Sequence, residues 1–129
     1  MALILIVDDD EMDRVLSRWH LEDTGHDFLF APDGKTALKL YEEEDIDLVI
    51  TDLAMPDLNG LRLIQAVLEL DRHAKIIAVS GVSPELLPRA EDLGAVLALI
   101  KPVRREDLVG AVRDILEGPG TVHDLFGGR

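Results

Sequence analysis

The stretch Leu3-Ile4-Leu5-Ile6-Val7-Asp8-Asp9-Asp10 decides the fold: an unbroken aliphatic run passes directly into three carboxylates. A short apolar run without alternation is the mark of a strand buried on both faces, as in a parallel sheet covered by helices on each side. The same signature recurs at Leu48–Ile50, Ile76–Val79 and Val96–Ile100, and more weakly at Asp27–Phe30. Five strands are therefore predicted.

Between them, apolar residues return at helical spacing. They are Met12, Val15, Leu16 and Trp19; Gly34, Ala37, Leu38 and Tyr41; Leu61, Ile64 and Leu68; Leu86, Leu87, Ala90 and Leu93; and Leu108, Ala111, Val112 and Ile115. Trp19, on the first of these stripes, is expected in the core. Punctuation agrees with five helices: Asp33 and Ser83 suit N-caps, Pro84 a first helical position, and Gly25 and Gly94 helix ends. Strict βα alternation implies parallel strands, right-handed crossovers and helices on both faces. Functional groups should then gather beyond the carboxyl ends of the strands.

The chain has 129 residues, 47% of them hydrophobic, with no cysteine. That length predicts one domain, over residues 1–117; the polar, aperiodic segment 118–129 reads as a flexible tail or truncated linker. Without cysteine there can be no disulfide framework, thiolate metal site or thiol nucleophile. Twenty-six acidic against 13 basic residues give a net charge of −13, which opposes direct binding to nucleic acid or to an anionic membrane. The opening apolar run is too short and too acidic in its flank for a signal peptide or a membrane span. A cytoplasmic location is expected.

Asp8–Asp10 follow the first strand, Asp52 the third, Ser80 the fourth and Lys101 the fifth, so all should meet at one edge of the sheet. Acids before a helix are common as caps, but carboxylates forced together repel one another unless a cation neutralises them. Mg²⁺, or Mn²⁺, suits an all-oxygen site of this kind. Asp9 and Asp52 fit as ligands, with Asp8 in contact through water. A carboxylate beside such an ion can also attack phosphorus. Lys101 would then supply positive charge and Ser80 a hydrogen bond to the transferring group, while the small Gly81 leaves room for it.

Four runs together, Leu5–Asp10, Asp47–Gly60, Val79-Ser80-Gly81 and Lys101-Pro102, resemble the receiver domain of bacterial two-component response regulators. Each is weak alone, but the four stand in register on a fivefold βα pattern across about residues 2–117. The resemblance implies a flavodoxin-like fold with strand order 2-1-3-4-5. It implies that Asp52 is the phosphoacceptor, that Asp8 and Asp9 bind Mg²⁺ with the Ala54 carbonyl, and that Ser80 and Lys101 contact phosphoryl oxygens. The Lys101–Pro102 peptide would be cis, aiming the ammonium into the site. Gly60 would permit the turn into the third helix, and Asp10 would serve the start of the first. The implied partner is a sensor histidine kinase or histidine phosphotransfer protein, docking on the first helix and the loop after the fifth strand.

The chain departs from the family pattern at Ala98, where many members carry the aromatic residue that turns inward on activation. Activation would then run through Ser80 and the Gly81–Ser83 loop to the face of helix four, strand five and helix five. At Ala54 and Val82, which in the family influence how water reaches the acyl phosphate, neither side chain can hydrogen-bond, implying slow hydrolysis. Two alternatives remain. One is a phosphatase of the haloacid-dehalogenase type, with Asp8 as nucleophile and Asp10 as acid; the other is a receiver fold that docks without phosphorylation. His20, His26, His73 and His123 lack metal-ligand spacing. The runs Glu42–Asp45 and Arg104-Arg105 read as solvated surface.

Overall fold

The apolar runs become β1 (Leu3–Val7), β2 (Asp27–Ala31), β3 (Leu48–Asp52), β4 (Ile76–Ser80) and β5 (Leu97–Ile100). All pair in parallel, in the spatial order β2-β1-β3-β4-β5. The structure is a computed structural model that describes residues 1–55, 59–81 and 84–118. Among the described residues five α-helices connect and cover the strands: α1 (Glu11–Leu21), α2 (Gly34–Glu43), α3 (Gly60–Leu70), α4 (Leu87–Leu93) and α5 (Arg105–Glu117). This is the doubly wound, flavodoxin-like α/β architecture the sequence implies.

Because strand side chains alternate, each strand feeds two cores. Leu5, Val7 and Val49 pack with Leu63, Ile64, Val67 and Ala90 on the side of α2, α3 and α4. Ile4, Ile6, Ile50 and Ile77 pack with Leu21, Leu108 and Val112 on the side of α1 and α5. With both faces covered, the central strands have no polar face, which is why their sequences read as continuous aliphatic runs. The register aligns their ends: Val7 lies opposite Thr51, Asp52 opposite Val79, and Ser80 opposite Ile100. Asp8, Asp52, Ser80 and Lys101 are thereby set side by side along one edge.

Several expectations change in detail. Asp52 and Ser80 are the last residues of β3 and β4 rather than the first beyond them. Gly25, in the left-handed region at φ 83°, closes a 3₁₀ turn at Glu22–Thr24 that prolongs α1. Gly94, at φ 125°, ends α4 as expected. Pro84 opens a 3₁₀ turn, Pro84–Leu86, and not α4 itself. Gly60 does not have a positive φ. Its hydrogen is required by space instead, since a Cβ there would stand 2.4 Å from the Asp52 carbonyl oxygen and 2.6 Å from Leu53 Cα. Ser83, Val82, His123 and all of the tail beyond Gly118 lie outside the described residues.

The larger correction concerns α1. Met12, Val15, Leu16 and Trp19 have the expected helical period, but they face solvent; Met12 is 72% and Trp19 62% exposed. The helix instead turns Leu21 into the core and brings Arg14 inward, where Nη1 donates to the Asp8 carbonyl at 2.6 Å. Asp10 fixes the start of the helix by accepting from the Met12 and Asp13 amides. Cap and arginine together set a rotation that leaves the apolar stripe outside.

Candidate functional site

The loop after β1 is built around Asp8. Its amide donates to the Ala31 carbonyl at 3.1 Å, and its Oδ1 accepts from the Asp10 amide at 3.0 Å. Asp8 and Asp52 are only 6% and 9% exposed, whereas Asp9 is exposed. One carboxylate oxygen from each of Asp8, Asp9 and Asp52 can be chosen so that all three lie within 4.8 Å of one another. Among the described residues this is the one cluster of acids or histidines with metal-binding spacing.

The described residues that flank the turn after β3 are held as well. The Ala54 amide donates to Asp52 Oδ1 at 3.3 Å, Leu53 N–H to the Val79 carbonyl, and Gly60 N–H back to the Leu53 carbonyl. Asn59 caps α3 by accepting from the Arg62 amide at 3.0 Å. Ser80 is wholly buried at the end of β4, and its carbonyl accepts from the Lys101 amide at 3.0 Å. The Lys101–Pro102 peptide is cis. A Cβ on Gly81 would meet the Lys101 Cβ at 3.0 Å, so the missing side chain of Gly81 makes room for the lysine stem.

The Lys101 ammonium reaches Asp8 Oδ2 at 2.9 Å, Asp13 Oδ2 at 2.9 Å and Asp52 Oδ2 at 3.6 Å. The first two are hydrogen-bonded ion pairs, and the third is a charge contact only. Burial pushes the Asp8 carboxyl above its ordinary pKa, even though the Lys101 hydrogen bond and charge pull it down. Burial likewise raises Asp52, with Lys101 opposing and the Asp8 and Asp9 charges adding to the rise. Lys101 moves upward as well: burial disfavours its charge, but the bonds to Asp8 and Asp13 outweigh it. One ammonium therefore does not neutralise this edge. The uncompensated oxygens fit a hard divalent cation, the donor set that Mg²⁺ prefers.

The residues singled out in the sequence, Asp8, Asp9, Asp52, Ala54, Ser80, Gly81, Lys101 and Pro102, thus fall along one edge of the sheet. Asp10 stands outside the metal-spaced cluster, and its Oδ1 caps α1 by accepting from the Met12 and Asp13 amides. Ala98 is half-buried in β5, paired in register with Ala78, with no ring at that place. Asp13 and Arg14 were not legible as part of the site. Their place one turn beyond the Asp10 cap is the signal that could have located them. Beside the cluster, between α1 and α5, lies a cleft of about 340 Å³ lined by Leu16, Val79, Val103 and Leu108 with Ser17 and His20.

A doubly wound parallel sheet with three carboxylates and a lysine at its carboxyl edge defines an α/β protein with an acidic site of cation-binding spacing at its strand ends. The chain belongs to the response regulator receiver domain family, whose model matches residues 4–113. It is 32% identical to the sensory/regulatory protein RpfC of Xanthomonas campestris over 87% of this chain, and spans 16% of that relative's length. It is 32% identical to the chemotaxis protein CheY of Halobacterium salinarum, covering 88% of this chain and 95% of CheY. Among solved structures, response regulator TrrA of Thermotoga maritima, in complex with Mg²⁺ and BeF, superposes with a TM-score of 0.83 at 29% identity, covering 90% of this chain and all of that one. The chain is accordingly a receiver domain of two-component signalling. Among the described residues, no helix is long and apolar enough to cross a membrane.

Proposed function

We propose that Asp52 accepts a phosphoryl group from a phosphohistidine, carried by a sensor histidine kinase or a histidine phosphotransfer protein. A carboxylate oxygen of Asp52 forms the new bond to phosphorus as the bond from phosphorus to the histidine nitrogen breaks; the departing imidazole takes up a proton. The observation that carries this reading is the Lys101 ammonium at 3.6 Å from Asp52, at a buried strand end beside two further carboxylates. That ammonium can meet charge on the transferring oxygens without first travelling. The chain is then a phosphoacceptor that assists its own modification rather than a turnover enzyme.

Asp9, Asp52 and the Ala54 carbonyl would hold Mg²⁺, or Mn²⁺, directly. Both oxygens of Asp8 are already engaged, by Lys101 and by the Asp10 amide, which favours contact through water. When bound, the ion supplies positive charge that offsets the carboxylates and the incoming phosphoryl oxygens. Ser80 would hydrogen-bond the phosphoryl group, with Gly81 and Pro102 setting the course of the lysine. TrrA, which binds Mg²⁺ and BeF, supports the assignment by its similarity. Residues 1–117 would form the receiver and 118–129 a flexible tail or truncated linker, in a cytoplasmic protein.

The exposed stripe Met12, Val15, Leu16 and Trp19 begins in the first turn of α1, directly after the acidic loop, and meets the cleft at Leu16. A donor delivering a phosphoryl group to Asp52 has to approach across this rim. Exposed apolar surface of this kind marks protein contact, so α1 with the loop after β5 is assigned as the donor's docking surface. The test is intact mass after incubation with acetyl phosphate and Mg²⁺. One phosphoryl group should be gained by the wild type and none by Asp52→Asn or by metal-free protein. An adduct that persists in Asp52→Asn would overturn the reading; Asp8→Asn should take up phosphoryl slowly.

A further inference from the structure

The Lys101 ammonium has three N–H donors on a flexible four-carbon stem. Two are engaged, at 2.9 Å by Asp8 and at 2.9 Å by Asp13. Asp13 does not belong to the metal-binding cluster of Asp8, Asp9 and Asp52, and its side chain is far more exposed than those of Asp8 and Asp52. It stands on the first turn of α1, whose placement is fixed twice: the Asp13 amide donates to Asp10 Oδ1, and Arg14 bonds the Asp8 carbonyl. On the opposite side the lysine stem runs against Gly81. The ammonium is held between these supports, with Asp52 next nearest at 3.6 Å.

We propose that Asp13 is a positioning residue for phosphoryl transfer: its carboxylate holds the Lys101 ammonium so that the remaining N–H is available to the group on Asp52. This rests on the phosphoacceptor reading above. The need for Asp13 grows when a divalent ion draws on Asp8 and Asp52, because Asp13 is then the carboxylate left to anchor the lysine. Without it the stem would sample many rotamers, and the ammonium would face the phosphoryl oxygens only part of the time.

A merely electrostatic role for Asp13 predicts the opposite sign. A carboxylate at the rim of an anion site repels the anion, so its removal by field alone should tighten binding. The experiment is calorimetric titration of the full chain with beryllofluoride, an acyl-phosphate mimic, at saturating Mg²⁺. Asp13→Asn should weaken binding about three- to fivefold, the scale of a partly exposed ion pair, and Asp13→Glu should restore most of the loss. In a Lys101→Gln background, Asp13→Asn should cause no loss, since nothing remains to be positioned. A second readout is the Lys101 ¹⁵Nζ–¹H resonance of the metal-free protein, expected in wild type and Asp13→Glu and lost to solvent exchange in Asp13→Asn. Asp13→Asn binding as tightly as wild type, or losing equally with and without Lys101, would overturn the positioning role alone. Failure of wild type to bind beryllofluoride would overturn the phosphoacceptor reading and this one with it.

Discussion

Lys101 Nζ stands 3.6 Å from Asp52 Oδ2, beyond hydrogen-bond reach but close enough to share its charge. A divalent ion entering the cluster therefore meets carboxylates that an ammonium already serves. Replacing Lys101 by Ala removes that competitor, so Mg²⁺ should bind about three- to tenfold more tightly. Phosphoryl uptake from acetyl phosphate should fall at the same time, because the developing charge loses its partner. Titration with Mg²⁺ alone checks the first half; weaker binding in Lys101→Ala would mean that ion and ammonium use different oxygens.

The pKa shifts set how that metal response depends on pH. Asp8 and Asp52 are both raised by burial, so the folded chain holds their protons more tightly than the unfolded chain. Their contribution to stability is complete below the ordinary value of 3.8 and is lost as pH rises through the raised folded values. The stabilising share of Lys101 is complete below its ordinary value of 10.5 and is lost as pH rises from there through its raised value. At neutral pH the two carboxylates thus weigh against the metal-free fold. Mg²⁺ at ten times its Kd should add about 1.4 kcal/mol, a rise of about 5 °C in Tm at about pH 7.5. The rise should shrink at about pH 4.5, where protons compete for the same oxygens. Asp52→Asn should stabilise the metal-free protein by about 1 kcal/mol and blunt the Mg²⁺ response. Thermal melts at the two pH values, with and without Mg²⁺, measure all three effects.

The sequence made the sheet legible because β1, β3 and β4 are buried on both faces, and that burial leaves its record in every residue from Ile4 to Val7 and from Ile76 to Val79. The site was legible for a related reason: residues that end parallel strands must share an edge, so Asp52, Ser80 and Lys101 could be placed together without coordinates. The rotation of α1 was not. Periodicity fixes which residues share a face, but not whether that face meets the core or solvent. In α1 the choice was made by the Arg14 bond to Asp8 and by the Asp10 cap. Asp13 was hidden for the same reason, since its meaning depends on where the first turn of α1 points.

Gly60 offers a test of how tightly the site is braced. A Cβ there would fall 2.4 Å from the Asp52 carbonyl oxygen and 2.8 Å from Leu53 Cδ2, and the first of these is backbone that cannot yield cheaply. Gly60→Ala should destabilise the fold by about 1–3 kcal/mol in urea unfolding. It should also slow phosphoryl uptake, because the strand end that carries Asp52 is what must shift. A variant with normal stability and uptake would show that α3 can withdraw without disturbing β3.

Trp19 separates docking from chemistry. It is exposed on α1, so Trp19→Ala should change stability by no more than about 0.5 kcal/mol. Uptake from acetyl phosphate, which needs no docking surface, should be unchanged. Transfer from phosphorylated histidine phosphotransfer domains should slow at least about tenfold for the donors that serve the wild type, as expected for a buried aromatic anchor. Comparing the two donor types in one preparation checks this, and equal slowing with both would place Trp19 in the fold rather than at the interface.

The lifetime of the phosphorylated state follows from what surrounds Asp52. Ala54 is half-buried beside it, with its amide donating to Asp52 Oδ1 and no side-chain group able to hold a water. Val82, which lies outside the described residues, has by its side-chain type no group that could hydrogen-bond a water either. Hydrolysis of an acyl phosphate needs a water placed in line behind phosphorus, and a residue that cannot orient it leaves that step to chance encounter. Spontaneous phosphate loss should therefore be slow, and the combined replacement Ala54→Asn with Val82→Glu should shorten the half-life about tenfold or more. Following the phosphorylated mass with time in both proteins decides it. An unchanged half-life would show that these two side chains do not govern how water reaches the acyl phosphate.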